Sequence, residues 1–184
     1  MNLPNALTVG RIFLVPLLVV VLLTKFEGRL IFGVRKELVG AAIFGIAALT
    51  DLLDGYLARR RKQITTLGQL MDPLADKLLI TAALVSLVQM DLAPAWMAAV
   101  ILGREFAVTV LRSIAHGKGV AIPASLLGKF KMVSEVVAIL ALILGQVEDL
   151  QPLHVIGTIA LWVAMVTATI SGVDYYRRFV RSGL

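Results

Sequence analysis

Six apolar stretches divide almost the whole chain between them, and this pattern limits the fold more than any other feature of the sequence. They run over residues 9–23, 38–57, 74–90, 94–114, 124–144 and 153–179. A helix that crosses a bilayer needs about 20 mostly apolar residues. The links are short and carry turn or breaker residues: Gly28, Gly68, Pro73, Pro94, Gly117, Gly119, Pro123 and Pro152. The expected fold class is an all-α integral membrane protein with six transmembrane helices. Residues 1–184 form one domain, and Asn2-Leu3-Pro4-Asn5 is a short N-terminal interfacial segment. No internal repeat or low-complexity tract interrupts the pattern.

Composition agrees. The hydrophobic set makes up 59% of the 184 residues, only 16% are charged, and the mean hydropathy is +0.90. Soluble domains run about 45–50% apolar and about 25% charged, so a soluble globular chain and a disordered one are both disfavoured. The absence of cysteine excludes disulfides, Cys-ligated zinc, Fe–S clusters and thiol catalysis. His116 and His154 are too few and too far apart for a histidine metal cluster. A net charge of +6 in so apolar a chain points to a basic face against anionic lipid rather than to nucleic acid.

The distribution of bases sets the expected orientation. Arg11, then Arg59, Arg60, Arg61 and Lys62, then Arg112, Lys118, Lys129 and Lys131, then Arg177, Arg178 and Arg181 fall on one side. The other side holds Lys25, Arg29, Arg35 and Lys36, with Asp91, Glu148 and Asp149 in its remaining loops. Lys77 and Arg104 lie within spans. Both termini and the two basic loops are therefore expected in the cytoplasm. Residues 1–10 contain no base, and no small-x-small site follows Leu23, so the first stretch reads as a retained span rather than a cleaved signal.

Four aspartates, Asp51, Asp54, Asp72 and Asp76, sit in or beside the second and third stretches. At about 100° per residue, Asp51 and Asp54 lie about 60° apart and Ala58 falls about 20° from Asp51. Asp72 and Asp76 lie about 40° apart, with Gly68 one turn before Asp72. The short basic link makes the two helices antiparallel neighbours, so the pairs can face each other near the cytoplasmic surface. Converging carboxylates in a poorly hydrated place raise one another's pKa. Divalent cations relieve that repulsion, and an oxygen-only donor set selects hard ions such as Mg²⁺ or Mn²⁺. Two such ions can clamp a phosphoryl group. Lone intramembrane acids are more often proton relays, counter-ions or helix-pairing groups. Four acids on two adjacent stripes, flanked by glycines and bases, favour the phosphoryl site.

A basic run after a span is usually a topology anchor, which accounts for Arg60, Arg61 and Lys62. Arg59 stands just above the aspartates, where it could bind a diphosphate. Gly55 and Gly68 either permit close helix contact or leave room for a flat nucleotide. Spacing alone does not choose between these.

The stretch Asp51-Leu-Leu-Asp54-Gly55-Tyr-Leu-Ala58-Arg59, eight residues, Gly68-Gln-Leu-Met-Asp72-Pro-Leu-Ala-Asp76 resembles the signature of the CDP-alcohol phosphotransferases at all eight fixed positions. The segment from Asn2 to Arg11 looks like the one that lines the cytidine site in that family. Gly103-Arg104-Glu105-Phe106 through Arg112, and Leu127-Gly128-Lys129-Phe-Lys131, are similar to its bacterial phosphatidylglycerophosphate synthases, with a departure at Met132. The resemblance thins after Gly145. It implies a six-helix, usually homodimeric enzyme of the bacterial cell membrane, with a two-metal site open to the cytoplasm. Such enzymes displace CMP from a CDP-linked donor with an alcohol.

Carried onto this sequence, the resemblance implies that Asp51, Asp54 and Asp72 hold one cation and that Asp51, Asp72 and Asp76 hold the other. Asp76 is the expected base. Cytidine is expected against Gly55, Ala58 and Gly68, with Asn5, Thr8, Arg59 and Thr65 around it. The donor would be CDP-diacylglycerol and the acceptor glycerol 3-phosphate, a small dianion that needs bases. Arg104, Arg112, Lys129 and Lys131 are the candidates, and Arg112 and Lys129 are favoured. The alternative is that these bases pair with Glu105 and Glu135 or mark topology. Glu105 and Arg112 share a stripe, and Lys131 and Glu135 are an i,i+4 pair. Rival readings are a sibling enzyme acting on phosphatidylglycerol, inositol phosphate or serine, and an intramembrane cation or proton carrier.

Overall fold

The computed structural model describes residues 3–24, 30–31, 33–61, 66–118 and 126–181. The side chains of residues 3–7, 30, 51–61, 66–73, 126 and 129 lie outside that description. The chain forms α1 (Leu3–Leu23), a two-residue hairpin of β1 (Leu30–Ile31) and β2 (Val34–Arg35), then α2 (Lys36–Arg61) and α3 (Thr66–Gln89). After these come α4 (Ala95–Gly117), α5 (Leu126–Leu144), a 3₁₀ turn at Glu148–Leu150, and α6 (Pro152–Arg181). Each apolar stretch read from the sequence thus corresponds to one long helix.

Three local readings change. Leu3, Pro4 and Asn5 of the expected lead-in are not a separate segment but the first residues of α1, while Asn2 lies outside the described residues. Gly68 and Pro73 are not link residues; both lie inside α3. Pro73 falls in the eighth position of that helix, where its missing amide leaves one backbone bond unmade, a loss that packed membrane helices tolerate. The hairpin was not anticipated. It pairs Leu30 with Arg35 and Ile31 with Val34, and Gly33 supplies its positive φ of 79°.

The helix ends explain why the links are short. Helix α3 stops in a Schellman-type turn: the Leu92 amide bonds the Leu87 carbonyl at 2.9 Å and the Asp91 amide bonds Val88 at 3.1 Å. Asp91 takes the left-handed position at φ 59°. Pro94 then enters α4 with extended backbone at φ −65°, ψ 133°. At the end of α1, the Lys36 ammonium donates to the Leu22 carbonyl at 2.9 Å and the Thr24 carbonyl at 3.2 Å, capping carbonyls the helix leaves open. Arg35 pairs with Glu148 at 3.0 Å, which joins the α1–α2 and α5–α6 connections at one end of the bundle.

The centre of the bundle is built from Leu18, Leu22, Phe44, Leu79, Leu84, Met97, Ile101, Ile139 and Leu142, all essentially inaccessible. The outward faces are apolar too. Phe13 on α1, Ile46 on α2, Val85 on α3, Val110 on α4, Val133 on α5 and Ile159 on α6 are each more than half exposed. Among the described residues, Pro152–Arg181 is the helix long and apolar enough to cross a membrane by length and composition, with a mean hydropathy of 1.9 in its best window. Helices α5 and α6 touch almost backbone to backbone. A Cβ added to Gly157 would lie 2.8 Å from the Leu142 amide nitrogen, and one added to Gly145 would lie 2.6 Å from that of His154. Small residues at helix contacts are the usual route to such close approach in membranes.

Candidate active site

Asp76 and Lys77 sit side by side on α3 and line a cavity of about 320 Å³. Helix α4 contributes Arg104, Glu105, Thr109 and Arg112, α5 contributes Lys131 and Glu135, and α6 contributes Tyr175. Three acids, four bases and a tyrosine from four helices therefore collect in one place, as expected where apolar surroundings disfavour an isolated charge.

The bases in this cavity differ sharply in what holds them. Arg104 is fully engaged. Its Nη1 donates to Glu105 Oε1 at 2.5 Å, Nη2 to Ser171 Oγ at 2.7 Å, and Nε to the Ala168 carbonyl at 3.2 Å. The Ser171 hydroxyl itself donates to the Ala168 carbonyl at 3.1 Å, which leaves its lone pairs for Arg104. Lys131 is buried, and its Nζ lies 2.6 Å from Glu105 Oε1 and 2.6 Å from Glu135 Oε1. Two bases and two acids thus form a charge-balanced ladder that ties α4, α5 and α6 together. The i,i+4 pairing of Lys131 with Glu135 expected from spacing is found.

Lys77 and Arg112 are held differently. The Lys77 ammonium donates to the Thr109 hydroxyl, which in turn donates to the Glu105 carbonyl at 2.7 Å. Arg112 is exposed and stands over the Tyr175 ring, 5.8 Å from its centroid. Among the described residues neither base has a carboxylate within ion-pair distance. Tyr175 is 4% exposed, and its buried hydroxyl has no hydrogen-bond partner among the described residues.

Of the residues predicted from sequence, Asp76, Arg104, Arg112 and Lys131 meet in this cavity. Thr8 does not line it. It is buried on α1, one turn from Arg11, which is also buried. The side chains of Asn5, Asp51, Asp54, Gly55, Ala58, Arg59, Gly68, Asp72 and Lys129, and the whole of Thr65, lie outside the described residues. Their helices are described: Asp51 and Asp54 belong to the last three turns of α2, Asp72 and Asp76 to the first half of α3, and the two helices pack as neighbours. A hard divalent ion suits this donor set, four carboxylates with no sulfur or imidazole. Lys77 and Tyr175 were not foreseen as site residues. The signal for Lys77 was its position inside a span without an obvious partner; Tyr175 gave none.

Comparison with known proteins completes the description. A family model described as CDP-alcohol phosphatidyltransferase matches residues 1–170. A Bacillus subtilis (strain 168) protein named CDP-diacylglycerol–glycerol-3-phosphate 3-phosphatidyltransferase is 44% identical over 182 residues, covering 96% of this chain and 94% of its own. A Rickettsia typhi protein of the same name is 37% identical, with 96% of each chain covered. A probable phosphatidylglycerophosphate synthase of Mycobacterium tuberculosis is 41% identical over 98% of this chain and 82% of its own. On this match and on the carboxylate signature carried by α2 and α3, the chain belongs to the CDP-alcohol phosphatidyltransferase family.

Proposed function

We propose that this chain transfers the phosphatidyl group of CDP-diacylglycerol to glycerol 3-phosphate, giving phosphatidylglycerophosphate and CMP. The observation that carries this reading is the near end-to-end match to relatives named for that reaction. The cationic cavity beside Asp76 supports it.

In the proposed reaction the acceptor hydroxyl oxygen attacks the phosphorus that carries diacylglycerol. The bond from that phosphorus to the bridging oxygen breaks, and CMP leaves with the electron pair. The hydroxyl proton passes to the Asp76 carboxylate as the new bond forms, because an alcohol is too weak an acid to ionise first. Asp51, Asp54 and Asp72 would hold one Mg²⁺ or Mn²⁺, and Asp51, Asp72 and Asp76 the other. When bound, these ions supply charge neutralisation at the diphosphate. Arg59 would meet the same diphosphate. Gly55, Ala58 and Gly68 would face cytidine, with Asn5, Thr8 and Thr65 about it.

The setting we propose is the bacterial cell membrane, with six spans, both termini and the site toward the cytoplasm, and a homodimer as the working unit. Large apolar side chains on the outward face of every helix support the membrane setting. A lipid donor and a water-soluble acceptor require a site reached from both phases.

An acceptor panel tests the reaction. Purified protein with Mg²⁺ and CDP-diacylglycerol is expected to release CMP with glycerol 3-phosphate and not with phosphatidylglycerol, inositol phosphate or serine. CMP release with one of the others instead would reassign the acceptor.

A further inference from the structure

We infer that the basic end of the seam between α4 and α6 holds the headgroup of an anionic phospholipid from the surrounding bilayer. Arg177 and Arg181 are its main cations, and Lys118 joins them from α4. The inference rests on the membrane setting proposed above and not on the reaction.

Helix α6 turns one face to the bundle and the other to lipid. Gly157, Leu161, Ala164, Ala168, Ser171 and Tyr175 are buried. On the outward face Val155, Ile159, Val166, Ile170 and Val173 are 45–61% exposed. The rise from Val155 to Val173 is about 27 Å, close to the hydrocarbon thickness of about 30 Å. Arg177 comes one turn later and lies about 20° from Ile170 in projection, so it continues the lipid-facing stripe. Arg181 follows one further turn on, about 40° from Arg177. The two arginines thus stand about 6–12 Å beyond Val173, at the depth of the lipid phosphates. Tyr176 is 58% exposed between them and Val173, and aromatic rings with a polar tip settle at that level.

Charge separates these two arginines from their neighbour. Arg178 is already paired with Asp174 at 2.9 Å. Arg177 and Arg181 are exposed, and among the described residues neither has a carboxylate within ion-pair distance.

Helix α4 brings a matching row. Phe106, Val110 and Ile114 are 43–57% exposed and one turn apart, and Lys118, also exposed, is next in the row. The two outward faces adjoin, because Trp96 and Trp162, each about half exposed, touch with ring centroids 5.7 Å apart. Towards the other end Arg112 stands over Tyr175. Lys118 follows Arg112 by six residues and Arg181 follows Tyr175 by six, so the helices end level. A base that only fixes orientation needs no particular face of its helix. Three cations that prolong two lipid-facing rows supply counter-charge and guanidinium forks for a lipid phosphodiester, with apolar surface above them for its chains.

The chain has no cysteine, so one introduced cysteine can be labelled alone. Val173→Cys places a bimane fluorophore on the lipid-facing stripe one turn from Arg177, and Val155→Cys places it at the far end of the same stripe. Each labelled protein is put into phosphatidylcholine nanodiscs carrying the same mole fraction of chain-brominated phosphatidylglycerol or chain-brominated phosphatidylcholine. At position 173 the phosphatidylglycerol should quench more, by an amount matching about fivefold local enrichment, the effect of one base at an anionic surface. At position 155 the two lipids should quench alike. Arg177→Gln with Arg181→Gln should abolish the excess at 173 and leave quenching by phosphatidylcholine unchanged. Equal quenching at 173 before those substitutions would overturn the site while leaving the membrane setting intact. An excess that survives the double substitution, or that is as large at 155, would overturn the assignment to these arginines. Quenching by neither lipid would reject the membrane setting and the site with it.

Discussion

Arg104 crosses from α4 to α6 directly over Gly172, so closely that a Cβ at that glycine would lie 3.0 Å from Arg104 Cγ. The guanidinium beyond it is aligned on Ser171, Ala168 and Glu105. Gly172→Ala is expected to push the stem aside by a few tenths of an ångström and cost about 1 kcal/mol, and Gly172→Leu about 3 kcal/mol. Thermal melting in detergent measures both. A Gly172→Leu protein that melts with the wild type would show that Arg104 is not pinned there.

The ion ladder makes a second prediction. Lys131 and Glu135 are almost wholly buried, with 4% and 3% of their side chains exposed. Lys131→Met leaves Glu135 facing apolar surroundings and should destabilise by about 3 kcal/mol. Adding Glu135→Gln should recover part of that loss, giving a coupling of at least about 1 kcal/mol in a double-mutant cycle. Additive effects would argue that the two side chains are not energetically coupled.

Close contact between α5 and α6 makes a third. A Cβ at Gly157 would meet backbone, the Leu142 nitrogen, at 2.8 Å, so the helices themselves must part. Gly157→Ala should cost about 1–3 kcal/mol. Gly103 on α4 has nothing within 4 Å of an added Cβ. There, Gly103→Ala should instead stabilise by roughly 0.5–1 kcal/mol, the intrinsic helix preference for alanine. Equal melting shifts for the two substitutions would contradict the packing described.

Much of this architecture is legible in the chain because apolar length is a direct physical requirement of a helix in lipid. Six runs gave six helices, with boundaries displaced by a few residues or more. What escaped was local and contextual. Pro73 and Gly68 read as breakers because propensity is a weak prior against packing, yet both are absorbed into α3. Arg104 and Lys131 carried the right residue type for binding phosphate. The alternative that they pair with Glu105 and Glu135 was legible from spacing, and the distances decide for it. Lys77 was passed over because a single base in an apolar run has no periodic signature. Arg11 was counted only among the bases that set orientation, and nothing in its spacing announced that it is among the most deeply buried large side chains. The family was legible in the carboxylate spacing on α2 and α3, while the side chains of Asp51, Asp54 and Asp72 lie outside the described residues.

The central claim is that Asp76 takes the acceptor proton during phosphatidyl transfer. It is tested most directly by following CMP release from CDP-diacylglycerol with Mg²⁺ and glycerol 3-phosphate, in the wild type and in Asp76→Asn, alongside donor binding. The wild type should release CMP only when the acceptor is present. Asp76→Asn should slow that release by about 10²–10⁴-fold, the range for loss of a positioned base, while still binding CDP-diacylglycerol. Undiminished turnover in Asp76→Asn, or CMP release by the wild type that ignores glycerol 3-phosphate, would contradict it.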